Sequence, residues 1–362
     1  MFVAWRDLRF AKGRFALMGT VVVLITLLVG LLSGLTAGLA RENTSAVTGL
    51  AADHLAFAAP PDGRSVSFTD SVVDERAWRS WAGRPGVEAA QPLGIRTLNA
   101  AGRGGHTSAV SAFGVEPDGG LTPPGTRVGA GRVVLSEGAA DDLAAGPGDR
   151  LRLGSTEVTV AAVAGDASYS HTSVVWVSLD DWQHLGGDGG GRGPHATVIA
   201  LTTGGGADLA AGDKAAGTST LSRADSLTAI GSYQAENGSL QLMRGFLFAI
   251  SALVIGAFFT VWTIQRSGDV AVLKALGAST RYLLRDALGQ AVVMLALGTG
   301  AGTALAAGIG ALISGGAVPF VLDPSTVLVP AAVMIVLGAL GAALSIRRIT
   351  AVDPLTALGS AR

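Results

Sequence analysis

The chain contains no cysteine. That removes disulfides, thiolate metal sites and thiol redox chemistry together. Charge is scarce too: Asp, Glu, Lys and Arg make up 15% of the 362 residues, where a soluble globular chain carries about a quarter. A P-loop, G-x-x-x-x-G-K-[ST], is also missing. The nearest text, "GADLAAGDKAAG", has the wrong spacing and no Ser or Thr after Lys214, so it offers no cradle of amides and lysine for nucleotide phosphates. Among the five histidines, His54, His106, His171, His184 and His195, no two stand three or four residues apart, and a helical metal-binding pair is therefore not expected. Nothing here predicts an enzyme, a resident cofactor or a resident metal. No run of basic residues suggests a nucleic-acid partner.

What the chain has instead is apolar length. Uncharged runs cover residues 15–40, 245–265, 287–322 and 324–346. About 20 apolar residues of helix cross a hydrocarbon core of about 30 Å, so each run predicts a span in a lipid bilayer. The run from 287 is longer than one span needs, and its "SGGAVPF" end predicts an exit near Ser314 and a return through Pro319 and Pro324. The first run, preceded by "WRDLRFAKGR" and ending in "AGLA", has some marks of a secretion signal. A signal core is only about 7–15 residues, however, and an anchor is the better reading.

The sequence thus predicts a membrane α-helical protein. It has four transmembrane helices and one large extracytoplasmic mixed α/β domain inserted between the first and second. The expected order is a cytoplasmic amphipathic segment 1–14, a span 15–40, the extracytoplasmic domain 41–241 and a span 242–265. A cytoplasmic loop 266–286, a span 287–314, a short external loop 315–324, a span 325–346 and a cytoplasmic tail 347–362 follow.

Charge sets the expected orientation. The N-terminal segment, the 266–286 loop and the tail from Arg347 hold 11 Lys/Arg against four acids, Asp7, Asp269, Asp286 and Asp353. Residues 41–244 hold 15 Lys/Arg against 22 Asp/Glu. Short basic segments stay on the cytoplasmic side, so both termini and the 266–286 loop are expected inside a multi-pass cell-membrane protein. Without disulfides the inserted domain must rest on its own core, which about 200 residues can supply.

Within that domain, "HLAFAAP" and "GRSVSFTD" read as short strands, and "SVVDERAWRSWAG" as a helix with Trp78 and Trp81 on one face. "TSAVSAFGVEP" alternates like an exposed edge strand. "GRVVLSEGAADDLAAGPGDRLRLGSTEVTVAAVAGD" reads as strand, short helix, Pro-Gly-Asp turn and two strands. "SVVWVSLDDWQHL" predicts a strand entering a helix capped by Ser178 or Asp180. Residues 186–194 are a glycine-rich loop. "LTAIGSYQAENGSLQLMRGF" predicts a helix that continues into the second span. In "YSHTSVVW", Tyr169 and His171 fall together at a strand entry.

Between the second and third spans stands "RSGDVAVLKALGAST", residues 266–280. Val270, Leu273 and Lys274 fall at i, i+3 and i+4; Gly277 suits a C′ position, and Ser279 or Thr280 can cap the next helix. A plain basic loop would explain the charge but not a capped helix. This segment, the tail "RRITAVDPLTALG" and the domain stretch "VVLSEGAADDLAAGPGDRLRLG" together resemble the four-span permease subunits of MacB-type ABC exporters, the FtsX-like permease family. The one departure is Asp269, where the family usually has Glu. The resemblance covers essentially the whole chain and implies two copies of a separate ABC ATPase, which bind the ATP and Mg, and a second copy of the chain itself. It also implies a coupling helix for that ATPase, carried by Asp269, Val270, Leu273, Lys274 and Gly277. Gly30, Gly34 and Gly38 form consecutive small-xxx-small steps on the first span, a pattern that lets membrane helices approach closely, within one chain or across a dimer.

The opening "RDLRFAKGRFALMG", with "LTAGLARENTSAV" and "LMRGFLFAI", looks most like the haem-efflux (HrtB-like) branch of that family, which implies haem as a substrate. Iron needs an axial ligand and propionates need cations. Glu236 and Met243 are the ligand candidates, with Tyr233 and Asn237 beside them and Arg41 or Arg244 toward the propionates. The ordinary alternative makes Met243 packing, Glu236 an interfacial acid and the arginines headgroup anchors. Export of a drug, peptide or lipid, or an FtsX-like signalling scaffold that transports nothing, are the other functional readings.

Overall fold

The computed structural model describes residues 12–185, 194–265, 268, 272–274, 276–313 and 318–350. Two compact units result: an α/β unit, Leu39–Gly238, and a helical unit formed by the residues on either side of it.

In the α/β unit the tail of helix α1 (Lys12–Thr48) leads into β1 (His54–Ala58), β2 (Val73–Asp74), α2 (Glu75–Ala82), β3 (Val87–Ala101) and β4 (Thr107–Val115). Next come β5 (Arg132–Leu135), α3 (Glu137–Leu143), β6 (Arg150–Leu153), β7 (Thr156–Val163), β8 (Ser168–Tyr169), β9 (Thr172–Ser178) and α4 (Leu179–His184). The unit closes with β10 (His195–Ala196), β11 (Val198–Thr203), α5 (Leu209–Ala216) and β12 (Thr218–Ser222). The main sheet runs β12-β1-β11-β3-β4-β9-β5-β7-β6, with β8 added on β9. β6 also pairs with the far end of β3, at Ala100 and Ala101, so part of the sheet curls back on itself.

Strands of period 2 send alternate residues to opposite faces, and here both faces are covered. Ala56, Leu135, Val175, Val177, Ile199 and Leu201 join one core with Trp81, Leu143 and Trp182. Leu55, Phe57, Val134, Val174, Trp176 and Val198 join the other with Phe113 and Tyr169. That double cover explains the nearly unbroken apolar texts "VVL" and "SVVWV". Each short helix starts on a side-chain cap: Asp74 accepts from the amide of Ala77, Ser136 from Ala139 and Ser178 from Asp181. Ser178, rather than Asp180, is the cap of α4.

Two strand expectations are corrected. "GRSVSFTD" forms no strand; its one large apolar residue, Phe68, plugs a core edge-on to Phe57, which needs a single anchored side chain rather than a ladder. "TSAVSAFGVEP" is not an edge. β4 lies between β3 and a parallel partner, β9, and from Val110 to Val115 it is buried throughout. Its Ala, Ser and Gly residues look like mild surface alternation, but Gly114 is small because the Trp182 side chain lies where a Cβ would project, and Ser111 is buried on hydrogen bonds to Thr97 and Thr172.

The helical unit contains the apolar part of α1 together with α6 (Gly231–Gln265), α7 (Thr280–Ile313) and α8 (Pro324–Thr350), α6 beginning in the α/β unit. All four helices are long and apolar enough to cross a membrane. At 1.5 Å per residue the 35 residues of α6 extend about 52 Å, more than the hydrocarbon core, so the helix continues unbroken beyond its apolar stretch. Met18, Val22 and Val29 of α1 share a core with Ile255, Phe259 and Trp262 of α6, Leu295 of α7 and Met334 of α8. The glycines of α1 are used inside the chain: Gly30 faces Ala306, Gly34 the ring of Phe320 and Gly38 the backbone of Pro319. The amide of Val321 donates to the Gly34 carbonyl at 3.2 Å, fixing residues 318–323 against α1.

Candidate functional site

The polar cluster of most interest is built on a hairpin too short for its residues. Only Ser170 and His171 join β8 to β9, and both have positive φ, 51° and 62°. A two-residue turn of this kind normally takes Asn-Gly, and a non-glycine residue held there costs about 1 kcal/mol or more. Contacts with α1 hold it in place. The Ser170 amide donates to the Asn43 carbonyl at 3.0 Å, and the His171 amide to the Glu42 carbonyl at 3.3 Å. The Ser168 amide donates to Ser45 Oγ at 2.8 Å.

This strained turn delivers the imidazole of His171 to Glu236 on the first turns of α6. Nε2 lies 3.0 Å from both Glu236 oxygens and 3.0 Å from the amide nitrogen of Asn43; a carboxylate offers only acceptors, so the contact with Glu236 is a hydrogen bond in the tautomer that carries its proton on Nε2. Nδ1 lies 3.6 Å from Glu42 Oε2. Asn43, 1% exposed, fixes the other side. Its amide nitrogen donates to Glu236 Oε2 at 3.3 Å, while its oxygen accepts from Ser232 Oγ at 2.7 Å. Ser170 Oγ completes the chain, 2.8 Å from Ser232 Oγ. One carboxylate oxygen thus collects two donors, and the imidazole stands between two carboxylates that face different ring nitrogens. Among the described residues no group of three or more His, Asp and Glu side chains converges on a single metal position.

The remaining candidates fall elsewhere. Arg41 is exposed and 3.7 Å from Asp166. Tyr233 is half-buried against the Phe57–Phe113 core, and Asn237 is half-buried. Met243 and Arg244 belong to the helical unit; Met243 is exposed, and Arg244 donates to Gln241 at 3.2 Å. Tyr169 is core, and burial pushes its phenol above the ordinary tyrosine range, which keeps it a neutral hydroxyl rather than an anionic ligand.

In the 266–286 segment, Asp269 and Val270 lie outside the described residues. Gly277 has φ +93°, its amide donates to the Lys274 carbonyl, and Ala278 donates to that of Leu273, the two bonds of a Schellman ending. Ser279 then caps α7 through Tyr282. Val272, Leu273 and Leu276 are exposed, an apolar surface on a short wet turn.

Ser232 escaped the sequence, and so did the pairing of His171 with Glu236, although His171 stood out beside Tyr169 at a strand entry. The available signal was the turn itself: "SY" and "TSVVWV" are strands separated by two residues, neither of them Gly, Asn or Asp. Such a loop implies outside support.

Two family models agree with this architecture. A model described as MacB-like periplasmic core domain matches residues 16–219, and one described as FtsX-like permease C-terminal matches residues 242–354. A protein of Staphylococcus epidermidis named as a hemin transport system permease, HrtB, is 25% identical, covering 99% of each chain. An uncharacterized ABC transporter permease of Mycobacterium bovis is 26% identical, again covering 99% of both. The crystal structure of the periplasmic region of MacB from Actinobacillus actinomycetemcomitans is 10% identical, with a TM-score of 0.37 over 49% of this chain and 92% of that one. Over more than half of its length the chain carries the MacB-like core domain, and with the FtsX-like segment that follows, it belongs to the MacB-like, FtsX-like family of ABC transporter permeases.

Proposed function

We propose that this permease works with a separate ATPase to move an amphipathic compound, haem in particular, out of the cell. The carrying observation is Glu236: an anionic oxygen ligand, held by His171 and Asn43, at the point where α6 begins. A similar full-length chain that bears a hemin transport name supports the choice of haem. Haem iron accepts an oxygen ligand, as from Tyr, and a carboxylate offers the same donor atom; His171 is the group that must yield when it does. Met243, exposed on α6, is the second ligand candidate; Arg41, Arg244, Tyr233 and Asn237 are the candidate contacts around the macrocycle.

In this reading residues 266–286 face the cytoplasm, the α/β unit faces out, and Leu273 and Lys274 meet the ATPase. The permease acts as a dimer. Since the glycine face of α1 is filled by its own chain, the second copy meets a different stripe, Leu17, Leu24 and Leu28, all more than half exposed. With no native cysteine, Leu24→Cys in membranes should give a disulfide-linked dimer under oxidation. If the protein stays monomeric while Gly34→Cys cross-links, the glycine face is the interface instead.

The functional test is ATPase stimulation. In a complex reconstituted with its ATPase, hemin should raise the ATP turnover rate. Unchanged turnover together with no hemin spectral change would remove haem as substrate. A signalling scaffold would instead purify with a bound extracytoplasmic partner and show no hemin response.

A further inference from the structure

A second site in the α/β unit has no part in the polar cluster. It is a cleft of about 380 Å³ whose walls include Phe68, Val72, Ile95, Arg96 and Trp182. The cleft opens where β11 parts from β3: the Thr197 side chain takes over the Ile95 amide at 2.8 Å, and the next ladder on that edge of β3 begins only at Ala100. The indole of Trp182 packs against Gly94 of β3 and Gly114 of β4, and a Cβ at either would strike it. Arg96 stacks over that indole, Cζ 4.8 Å from the ring centroid.

Two donors on this wall, Arg96 Nη1 and Trp182 Nε1, are buried without a hydrogen-bond partner. Among the described residues no carboxylate pairs with Arg96. An unpaired buried donor is costly; both atoms are closed to solvent in this structure, so an anion entering the cleft pairs with them once the Arg96 and Trp182 side chains shift to admit it. Phe68, Val72 and Ile95 would meet the apolar remainder of that ligand. A phosphate dianion ordinarily collects several cations or a helix N-terminus, whereas one guanidinium and one indole N–H match the two oxygens of a carboxylate. We infer that this cleft binds an organic carboxylate with an apolar body, its carboxylate on Arg96 and Trp182 and its hydrocarbon against Phe68, Val72 and Ile95.

Hexanoate is the probe, titrated calorimetrically into the full-length chain in lipid nanodiscs, with 1-hexanol and inorganic phosphate as comparisons. For a ligand of so few atoms the expected dissociation constant is on the order of 1 mM. Arg96→Gln and Trp182→Phe should each weaken it about tenfold, the worth of a hydrogen bond to a charged group. Arg96→Lys, which keeps the charge in the same place, should stay within about threefold of wild type and keeps the test decisive should Trp182→Phe fail to fold. Hexanol bound as tightly as hexanoate, phosphate bound as tightly as hexanoate, or an affinity untouched by Arg96→Gln would each overturn the assignment, as would no saturable binding of hexanoate.

Discussion

Hemin added to the purified chain is expected to develop a Soret band that is lost in Glu236→Ala. The expected loss of affinity is at least tenfold, because the substitution deletes the anionic oxygen that would take an axial position on the iron. Alanine alone would not separate ligation from structure, since it also strips His171 and Asn43 of their shared acceptor. Glu236→Gln does separate them. The glutamine oxygen can still accept from His171 or Asn43 in the same place, so the hairpin stays anchored and the melting temperature should remain near wild type. The anionic ligand is nevertheless gone, and the Soret band should fall about as far as in the alanine variant. A glutamine variant that binds hemin like wild type would reduce Glu236 to an anchor for the turn. His171→Ala should act in the opposite sense. The imidazole competes with iron for the same oxygens through a contact of about 0.5–1.5 kcal/mol, so its removal should tighten hemin binding between about twofold and tenfold. Weaker binding in that variant would assign the iron to the imidazole.

The second large effect concerns the bundle. Gly38→Leu should collapse the yield of folded protein and lower its melting temperature steeply, because the position a Cβ would take is held by the backbone of Pro319. Overpacking usually costs about 1–3 kcal/mol. Here the obstacle is main chain, already fixed by the bond from Val321 to the Gly34 carbonyl, so a value at or above the top of that range is expected. Gly300→Leu is the internal control: it lies on α7, and nothing stands within 4 Å of where its Cβ would be. Size-exclusion profiles and thermal melts of the two variants should diverge. If they behaved alike, the glycine stripe of α1 would not be packed by residues 318–323.

Much of this was legible in the sequence, for identifiable reasons. Four apolar stretches and the strand–helix–turn–strand text from Arg132 to Val163 each rest on local chemistry, and the structure forms four apolar helices and the elements β5, α3, β6 and β7 at those places. The resemblance of residues 266–280 and of the tail was equally local. What stayed hidden depended on distant partners. Nothing near Val110–Val115 states that β9 lies alongside it, so its small residues, Gly114 beneath Trp182 among them, passed for an edge pattern. Glu236 could be singled out as an acid at the head of a span, yet its two donors come from residues 43 and 171, and only folding brings them together. The glycines of α1 announced a close approach without naming the partner; in this structure Ala306 and residues 319–321 of the same chain stand against them. Phe68 misled in another way, since one buried aromatic in a β-prone text needs no strand around it.

The most direct test of a permease driven by a separate motor lies in the short wet turn between the second and third spans. Leu273 and Lys274 stand just ahead of the left-handed break at Gly277, with Val272, Leu273 and Leu276 exposed beside it. In proteoliposomes holding the permease and its ATPase, ATP-dependent hemin movement should be measured alongside ATP hydrolysis for wild type and for Leu273→Asp. A charge in an apolar docking surface should sever the two: hemin movement falls to background, hemin no longer stimulates hydrolysis, basal hydrolysis persists, and the permease still inserts and binds hemin. Hemin movement and stimulation at wild-type levels in Leu273→Asp, with the protein equally abundant, would contradict transmission of the motor's motion through this turn.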